Sequence, residues 1–572
     1  MTLRAAGITA WILLAASGAT GLAGAAGAAT PESRADALVA DFVYQSLALQ
    51  PVSATAAGYH EQAGVRLDGR WDDYSAGGRE RLRKFDHQLL QRLDALRKAR
   101  LDPEREADLD IIRDAVGLDL LELDRIQDFR HNPTIYVELI GNGLYTPYVL
   151  EYAPAERRYR DIIERLQRLP VLVAQATANL RDAPAVWNRV AREENAANIE
   201  LIDKTMRAQV PAPLQAAYAD AAGPALQSLR EFSAFLAGPL ADRSSDWRLG
   251  KDNYERKCRL TLHTGRSTAQ LLAEAEADLA STRAEMARIA GPRGVASALA
   301  EYAGQHATPA TYMDEARSAL AQATAFVRQQ ELLTLDDTSN LAVIETPAYM
   351  RGGYPVGGFS PAPALEPQLG AYYWVTPIPA DWPPERIESK LREYNRFGLQ
   401  QLTIHEAMPG HYVQSVYASR VAPPARRALR AIWGNGPYVE GWAVYAQQLL
   451  TDAGYMNNDP GLRLALLKWQ LRALANTIID IRLQTMGMTE QQALDLMINQ
   501  TYQEREEAVE KLQRAQLSSC QLAMYYAGGK GWIEAREHFR QRHATDFSLK
   551  DFHERALGEG AVPLPALDRL LR

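Results

Sequence analysis

Apolar residues recur at intervals of three and four along most of the chain, the period of a helix that buries one face. Between Ser267 and Ala290 the pattern runs through Leu272, Ala275, Leu279, Met286 and Ile289, with Glu, Asp and Arg between them. Tyr159, Ile162, Ile163 and Leu166 repeat it, and Pro170 predicts the end of that helix. Leu462 to Leu483 is a longer amphipathic run. The period-two alternation of a half-buried strand is scarce, and no short repeat is visible. These stripes read as core packing in an all-α protein.

Residues 346 to 384 break the pattern. They carry Pro347, Gly352, Gly353, Pro355, Gly357, Gly358, Pro361, Pro363, Pro367, Pro377, Pro379, Pro383 and Pro384, interleaved with Tyr349, Tyr354, Tyr372, Tyr373 and Trp374. That density of Pro and Gly excludes a continuous helix. A long irregular segment in a helical protein is either functional or a linker between lobes. Its apolar piece, Tyr372 to Val375, is expected in a small hairpin lining a cleft. Helix is predicted to resume at about Pro384 and to run through Glu388, Leu391, Tyr394, Phe397, Leu399 and Leu402 to Ile404.

The N-terminus adds an address. Arg4 precedes a mostly apolar run from Ile8 to Leu22, and Ala26-Gly27-Ala28 supplies a small-x-small cleavage pattern. Residues 1–28 are therefore expected to be a cleaved signal peptide, making the chain exported, periplasmic or secreted. No later apolar run is long enough to span a bilayer, so no stable membrane insertion is expected after cleavage. No cysteine closely follows the apolar run, which argues against lipoprotein anchoring. Residues 29–572 are expected to form a single helical domain of two lobes. Lys and Arg total 63 against 70 Asp and Glu, and loss of Arg4 moves the net charge from −7 to −8. A mildly acidic chain without a basic run offers no footprint for nucleic acid. Only Cys258 and Cys520 occur; one disulfide and two buried thiols are both compatible with export.

The predicted helix ending near Ile404 delivers His405-Glu406. A His-Glu pair on a helix begins a zinc hydrolase signature, in which two imidazoles on one face bind the metal and the Glu activates water. The second His ordinarily stands four residues on, about 40° around the helix. Here that position is Pro409, and the next imidazole is His411, about 120° away on a straight helix. Pro409 disfavours helix at Met408, and Gly410 is free to adopt a left-handed conformation. Together they offer a way to swing His411 back towards His405. A third ligand is expected from Glu440, 29 residues after His411, set among Val439, Trp442 and Val444. Gly441 would let a neighbouring helix pack closely beside it. The bland alternative is a buried His paired with a carboxylate as ordinary packing.

His405-Glu406-x-x-Pro409-Gly410-His411 followed by Glu440-Gly441-Trp442-Ala443-x-Tyr445 resembles the bacterial group named domain of unknown function 885. The resemblance begins at Pro51-Val52-Ser53-Ala54-Thr55-Ala56-Ala57-Gly58-Tyr59-His60. It continues through Glu345-Thr346-Pro347, Tyr372-Tyr373 and Met488-Thr489-Glu490-Gln491-Gln492-Ala493. It implies a large two-lobed helical fold akin to angiotensin-converting-enzyme-like and thermostable carboxypeptidases, with a deep cleft. It also implies one zinc ion on His405, His411 and Glu440, with Glu406 as base. Near the C-terminus the family usually has an Arg, then Pro-Gly-Gln-Ala, then Tyr-Lys-x-Gly. Arg514, Gln521, Tyr525 and Gly528 fit that register, but Ser519-Cys520 replaces Pro-Gly and Tyr526 replaces Lys. Tyr525 is the phenol expected to steady an oxyanion.

These readings converge on a zinc-dependent peptidase of carboxypeptidase or oligopeptidase type, cleaving short peptides with Glu406 as general base. Recognition of a substrate carboxylate calls for a cation, and Arg351, Arg396 and Arg514 are candidates; Tyr372 and Tyr373 are further candidate substrate contacts. The alternatives are a zinc amide or ester hydrolase of the cell envelope and a catalytically inactive helical binding protein.

Overall fold

The computed structural model describes residues 30–335, 340–347, 350–351 and 356–572. The expected signal peptide, Tyr349, Gly352, Gly353, Tyr354 and Pro355 lie outside the described residues. Helices dominate, as the periodicity predicts. Thr268–Ala290 is one helix, begun by a capping box in which Ser267 and Gln270 satisfy each other's backbone N–H groups. Pro460–Thr485 is another, buried on nearly every side rather than amphipathic. No helix among the described residues is long and apolar enough to cross a membrane.

Two predicted boundaries are corrected. The helix expected to end at Pro170 runs from Ala155 to Asn179 with Pro170 inside it. Its apolar stripe continues through Leu169, Leu172 and Val173, all buried. Burying each is worth about 1.5–3 kcal/mol, enough together to outweigh the cost of about 3 kcal/mol for an internal proline. The helix expected from Pro384 to Ile404 is two helices, Pro384–Glu393 and Arg396–Glu406. Asn395 divides them, its side chain accepting hydrogen bonds from the N–H groups of Phe397 at 3.0 Å and Gly398 at 3.2 Å.

Strands are few. β1 (Glu61–Gln62) and β2 (Val65–Arg66) form a minimal hairpin. β3 (Leu341–Glu345), β4 (Gly357–Ser360) and β5 (Ala371–Val375) form a sheet in the order β3-β5-β4. β4 and β5 are antiparallel, with Gly357 opposite Val375 and Ser360 opposite Tyr372, so the irregular segment does hold the expected hairpin. The parallel partner β3 was not foreseen. Ala371, Tyr373 and Val375 are buried while Tyr372 and Trp374 are partly exposed, the two-residue alternation of a pleated strand.

Three apolar clusters fill the interior. The largest joins the N-terminal helices to the sheet, to the segment from Leu391 to Leu462 and to the C-terminal helices. A second surrounds Pro460–Thr485, and a third lies within residues 136–240. Cys258 and Cys520 pair in a disulfide with Cα atoms 5.2 Å apart, closing a span of 262 residues.

Candidate metal centre and the cleft around it

Six helices build the site: α1 (Arg396–Glu406), α2 (His411–Ala418), α3 (Gly436–Asp452), α4 (Pro460–Thr485), α5 (Arg505–Leu517) and α6 (Met524–His543). His405 and Glu406 end α1. The chain then folds sharply back, with the N–H groups of Ala407 and Met408 both donating to the Thr403 carbonyl and that of Gly410 to the Ile404 carbonyl. The Met408–Pro409 peptide is cis, and α2 starts at once with His411. The expected left-handed glycine is not found, since Gly410 has φ −68°. Glycine is needed here for close approach instead: a Cβ would overlap the carbonyl oxygens of Ile404 and His405. Trp442 holds the turn from the other side, its indole N–H donating to the Pro409 carbonyl at 2.8 Å. The outcome is the geometry a straight helix forbids. The His405 and His411 rings lie 4.8 Å apart, nearly perpendicular at 84°.

Glu440 meets both imidazoles from α3. One of its oxygens is 3.4 Å from His405 Nε2 and 3.5 Å from His411 Nε2, longer than ordinary hydrogen bonds. One donor atom from each of the three residues can be chosen so that all lie within 4.8 Å of one another. The packing that brings α3 here is the expected one: Gly441 presses on Gly528 of α6, and a Cβ on either would strike the other helix's backbone. The Nδ1 atoms of both histidines and one Glu440 oxygen are buried with no hydrogen-bond partner. Burial opposes charge at Glu440, yet the two imidazoles hold its carboxyl well below the usual range. His411, against the same penalty, is raised above the ordinary imidazole by Glu440 and Glu406.

Glu406 lines the cleft beside this cluster, and its carboxylate has no hydrogen-bond partner among the described residues. Tyr525, one residue into α6, lays its ring against His405 at 6.1 Å and 26°. Its hydroxyl oxygen accepts from Arg514 Nη2 at 3.0 Å and Gln521 Nε2 at 3.3 Å. With both contacts donating to the oxygen, the phenol proton is left to point elsewhere. Burial pushes the phenol up to about 12, with Arg514 pulling the other way. Asp480 on α4 anchors the segment before α6 by accepting from the N–H groups of Cys520 and Ala523, each at 3.2 Å. Burial raises that carboxyl to about 6, even though these backbone N–H groups favour its charged form.

His405, Glu406, His411, Glu440 and Tyr525 share a cavity of about 750 Å³, also lined by Gly357, Phe359, Gln414 and Arg514. Arg514 is thus the one candidate cation placed at the site. Arg351 pairs with Glu345 at 3.1 Å and donates to the Thr346 carbonyl. Arg396 is exposed at the far end of α1, over the Phe397 ring. Tyr373 is fully buried, its hydroxyl 3.2 Å from Thr403 Oγ1, and Tyr372 on the opposite face of β5 does not line the cavity. Trp469, whose ring lies 6.1 Å from that of His405, Phe359 and Asp480 carry no local sequence pattern that distinguishes them from core or surface residues.

The class defined by this fold and site is a helical protein with a candidate two-histidine, one-glutamate metal centre in a cleft. The chain belongs to the family described as bacterial protein of unknown function DUF885, whose pattern matches residues 51–571. It is similar in structure to a presumed lipoprotein of unknown function from Shewanella oneidensis, with a TM-score of 0.77 and 28% identity over 95% of this chain and 100% of that one. A presumed lipoprotein from Colwellia psychrerythraea gives a TM-score of 0.76 at 19% identity, over 95% of this chain and 98% of that one, a likeness of fold alone. No curated protein matches the sequence.

Proposed function

We propose that this protein is an exported zinc-dependent peptidase that cleaves short peptides in the cleft between its helices. The observation that carries the reading is the convergence of His405, His411 and Glu440, with the Glu440 oxygen that faces both Nε2 atoms buried and without a hydrogen-bond partner. The 3.4 and 3.5 Å separations between imidazole nitrogens and the Glu440 oxygen are long for hydrogen bonds. They match the spacing of roughly 3.3 Å between neighbouring donors of a tetrahedral ion with ligands at about 2.05 Å. Two nitrogens and one carboxylate are also a donor set that suits zinc and leaves a position open. A zinc ion on these three residues would supply Lewis acidity towards a carbonyl and lower the pKa of water.

The rest of the chemistry falls to the chain. Glu406, unencumbered by protein partners, accepts a proton at its carboxylate and returns it to the departing amine nitrogen. Tyr525, protonated throughout the ordinary pH range, donates its hydroxyl hydrogen to charge developing on the carbonyl oxygen. Arg514 and Gln521 fix that hydroxyl by donating to its oxygen. A cavity of about 750 Å³ suits a short peptide segment better than a folded protein. Export fits the leader pattern and the Cys258–Cys520 disulfide.

The test is Glu406→Gln against a mixed peptide library read by mass spectrometry, with bound metal measured alongside. We expect wild-type cleavage, zinc retained in the variant, and a rate lowered about 10²- to 10⁴-fold. Undiminished cleavage by the variant removes Glu406 as base.

A further inference from the structure

Around α5 lies a second set of buried charges, and nearly all of it is paired. Arg472 meets Glu507 and the Tyr394 hydroxyl. The other oxygen of Glu507 accepts from Tyr394 at 2.9 Å. Lys390 reaches Glu510 at 2.7 Å, and Lys468 reaches Glu393 at 2.7 Å. Lys511 is the exception. It is 5% exposed, and its ammonium has no hydrogen-bond or ion-pair partner among the described residues. Burial, with Arg472 and Arg514 close by, pushes it well below the ordinary lysine range, against the opposing pull of Glu507 and Glu510. An anion bound beside this amine would favour its charged form and offset the cost of burying it.

Lys511 does not point into a packed core. It lines a pocket of about 90 Å³ that shares His405, Glu406, Arg514 and Tyr525 with the cleft. Lys511 and Arg514 are three apart on α5 and so stand on one face, a turn from each other. Glu507 and Glu510 also border the pocket, but Arg472, Tyr394 and Lys390 already engage them. The pocket therefore presents an amine with no hydrogen-bond partner in the protein, in a space it shares with Glu406 and Arg514.

We propose that Lys511, with Arg514 beside it, binds the C-terminal carboxylate of a peptide in this pocket, so that the enzyme removes residues from the C-terminus. The assignment rests on the peptidase reading for the reaction, though not for the carboxylate site itself.

The experiment uses full-length zinc-loaded protein and pairs of N-acylated dipeptides that differ only in a free-acid or amidated C-terminus. Wild type is expected to favour the acid by about 10- to 100-fold in kcat/KM, the worth of one hydrogen bond to a charged group. Lys511→Met is expected to bring that ratio towards unity by raising KM for the acid alone, and Lys511→Arg to restore part of it. Thermal stability of Lys511→Met should be unchanged or higher, because a buried amine without a partner is removed. A lower melting temperature with an unaltered ratio makes Lys511 a structural residue and overturns the proposal. If wild type cleaves neither peptide, calorimetric binding decides. Acid-selective binding lost in Lys511→Met keeps the carboxylate site while the peptidase reading falls; no acid selectivity in wild type removes the site.

Discussion

Asp108 and Glu440 are both carboxylates withdrawn from solvent, each facing two nitrogenous side chains, and they are treated in opposite ways. Asp108 gives one oxygen to Arg426 Nε at 2.6 Å and the other to Arg430 Nε at 2.8 Å. Arg426 also pairs with Glu104, and Arg430 is completed by the Glu559 carbonyl. That cluster closes on itself. Around Glu440 the distances are longer, and the carboxylate oxygen that faces both Nε2 atoms is left unsatisfied. Polar groups buried for stability are normally saturated. A buried cluster left open has a stability cost that a further ligand can recover.

The contrast can be broken by substitution. Asp108→Asn leaves two buried guanidinium groups facing a neutral partner and is expected to cost about 3–5 kcal/mol in urea unfolding. His553 belongs to the closed type: it is fully buried, with Nε2 at 2.9 Å from the Tyr445 hydroxyl and Nδ1 at 2.8 Å from the Leu332 carbonyl. Burial lowers it to about 4, against about 6.5 when unfolded. The unfolded chain then binds the extra proton between these values. The contribution is complete above pH 6.5 and is lost as pH falls towards 4, by about 3 kcal/mol. His553→Gln should flatten that limb of the stability–pH curve. Tyr525→Phe tests the open site, and we expect kcat to fall about 100-fold, or ~2.7 kcal/mol, with KM little changed. The smallest stability effect should come from Glu440→Gln. Unfolding of its metal-free form should shift by less than that of Asp108→Asn, while its metal is lost on dialysis. A destabilisation as large as that of Asp108→Asn would erase the distinction.

The sequence carried the helices whose stripes are long, as in Thr268–Ala290, because one apolar face needs only local spacing to be seen. It misled at Pro170, where a local penalty is outweighed by side chains contributed further along. It misled again at Asn395, whose cap sits inside an otherwise unbroken helical pattern. β3 was invisible because Leu341 to Glu345 is a short apolar run without alternation. The approach of His405, His411 and Glu440 was legible because metal chemistry restricts which residue types are useful. Which arginine faces the cleft was not, since Arg351, Arg396 and Arg514 differ only in tertiary position. Lys511 was hidden more deeply still: beside Glu507 and Glu510 it reads as one more solvated helix charge.

Cys520 occupies the position where the family resemblance leads one to expect glycine, and its φ of +64° is one that glycine adopts without strain and cysteine does not. The bond to Cys258 and the Asp480 hydrogen bond keep it there, five residues ahead of the phenol at position 525. In this protein the left-handed turn is held by a covalent cross-link formed only after oxidation. The aim of Tyr525 is accordingly tied to compartment: molecules retained in a reducing cytosol would carry a looser approach to the cleft than those that have left it.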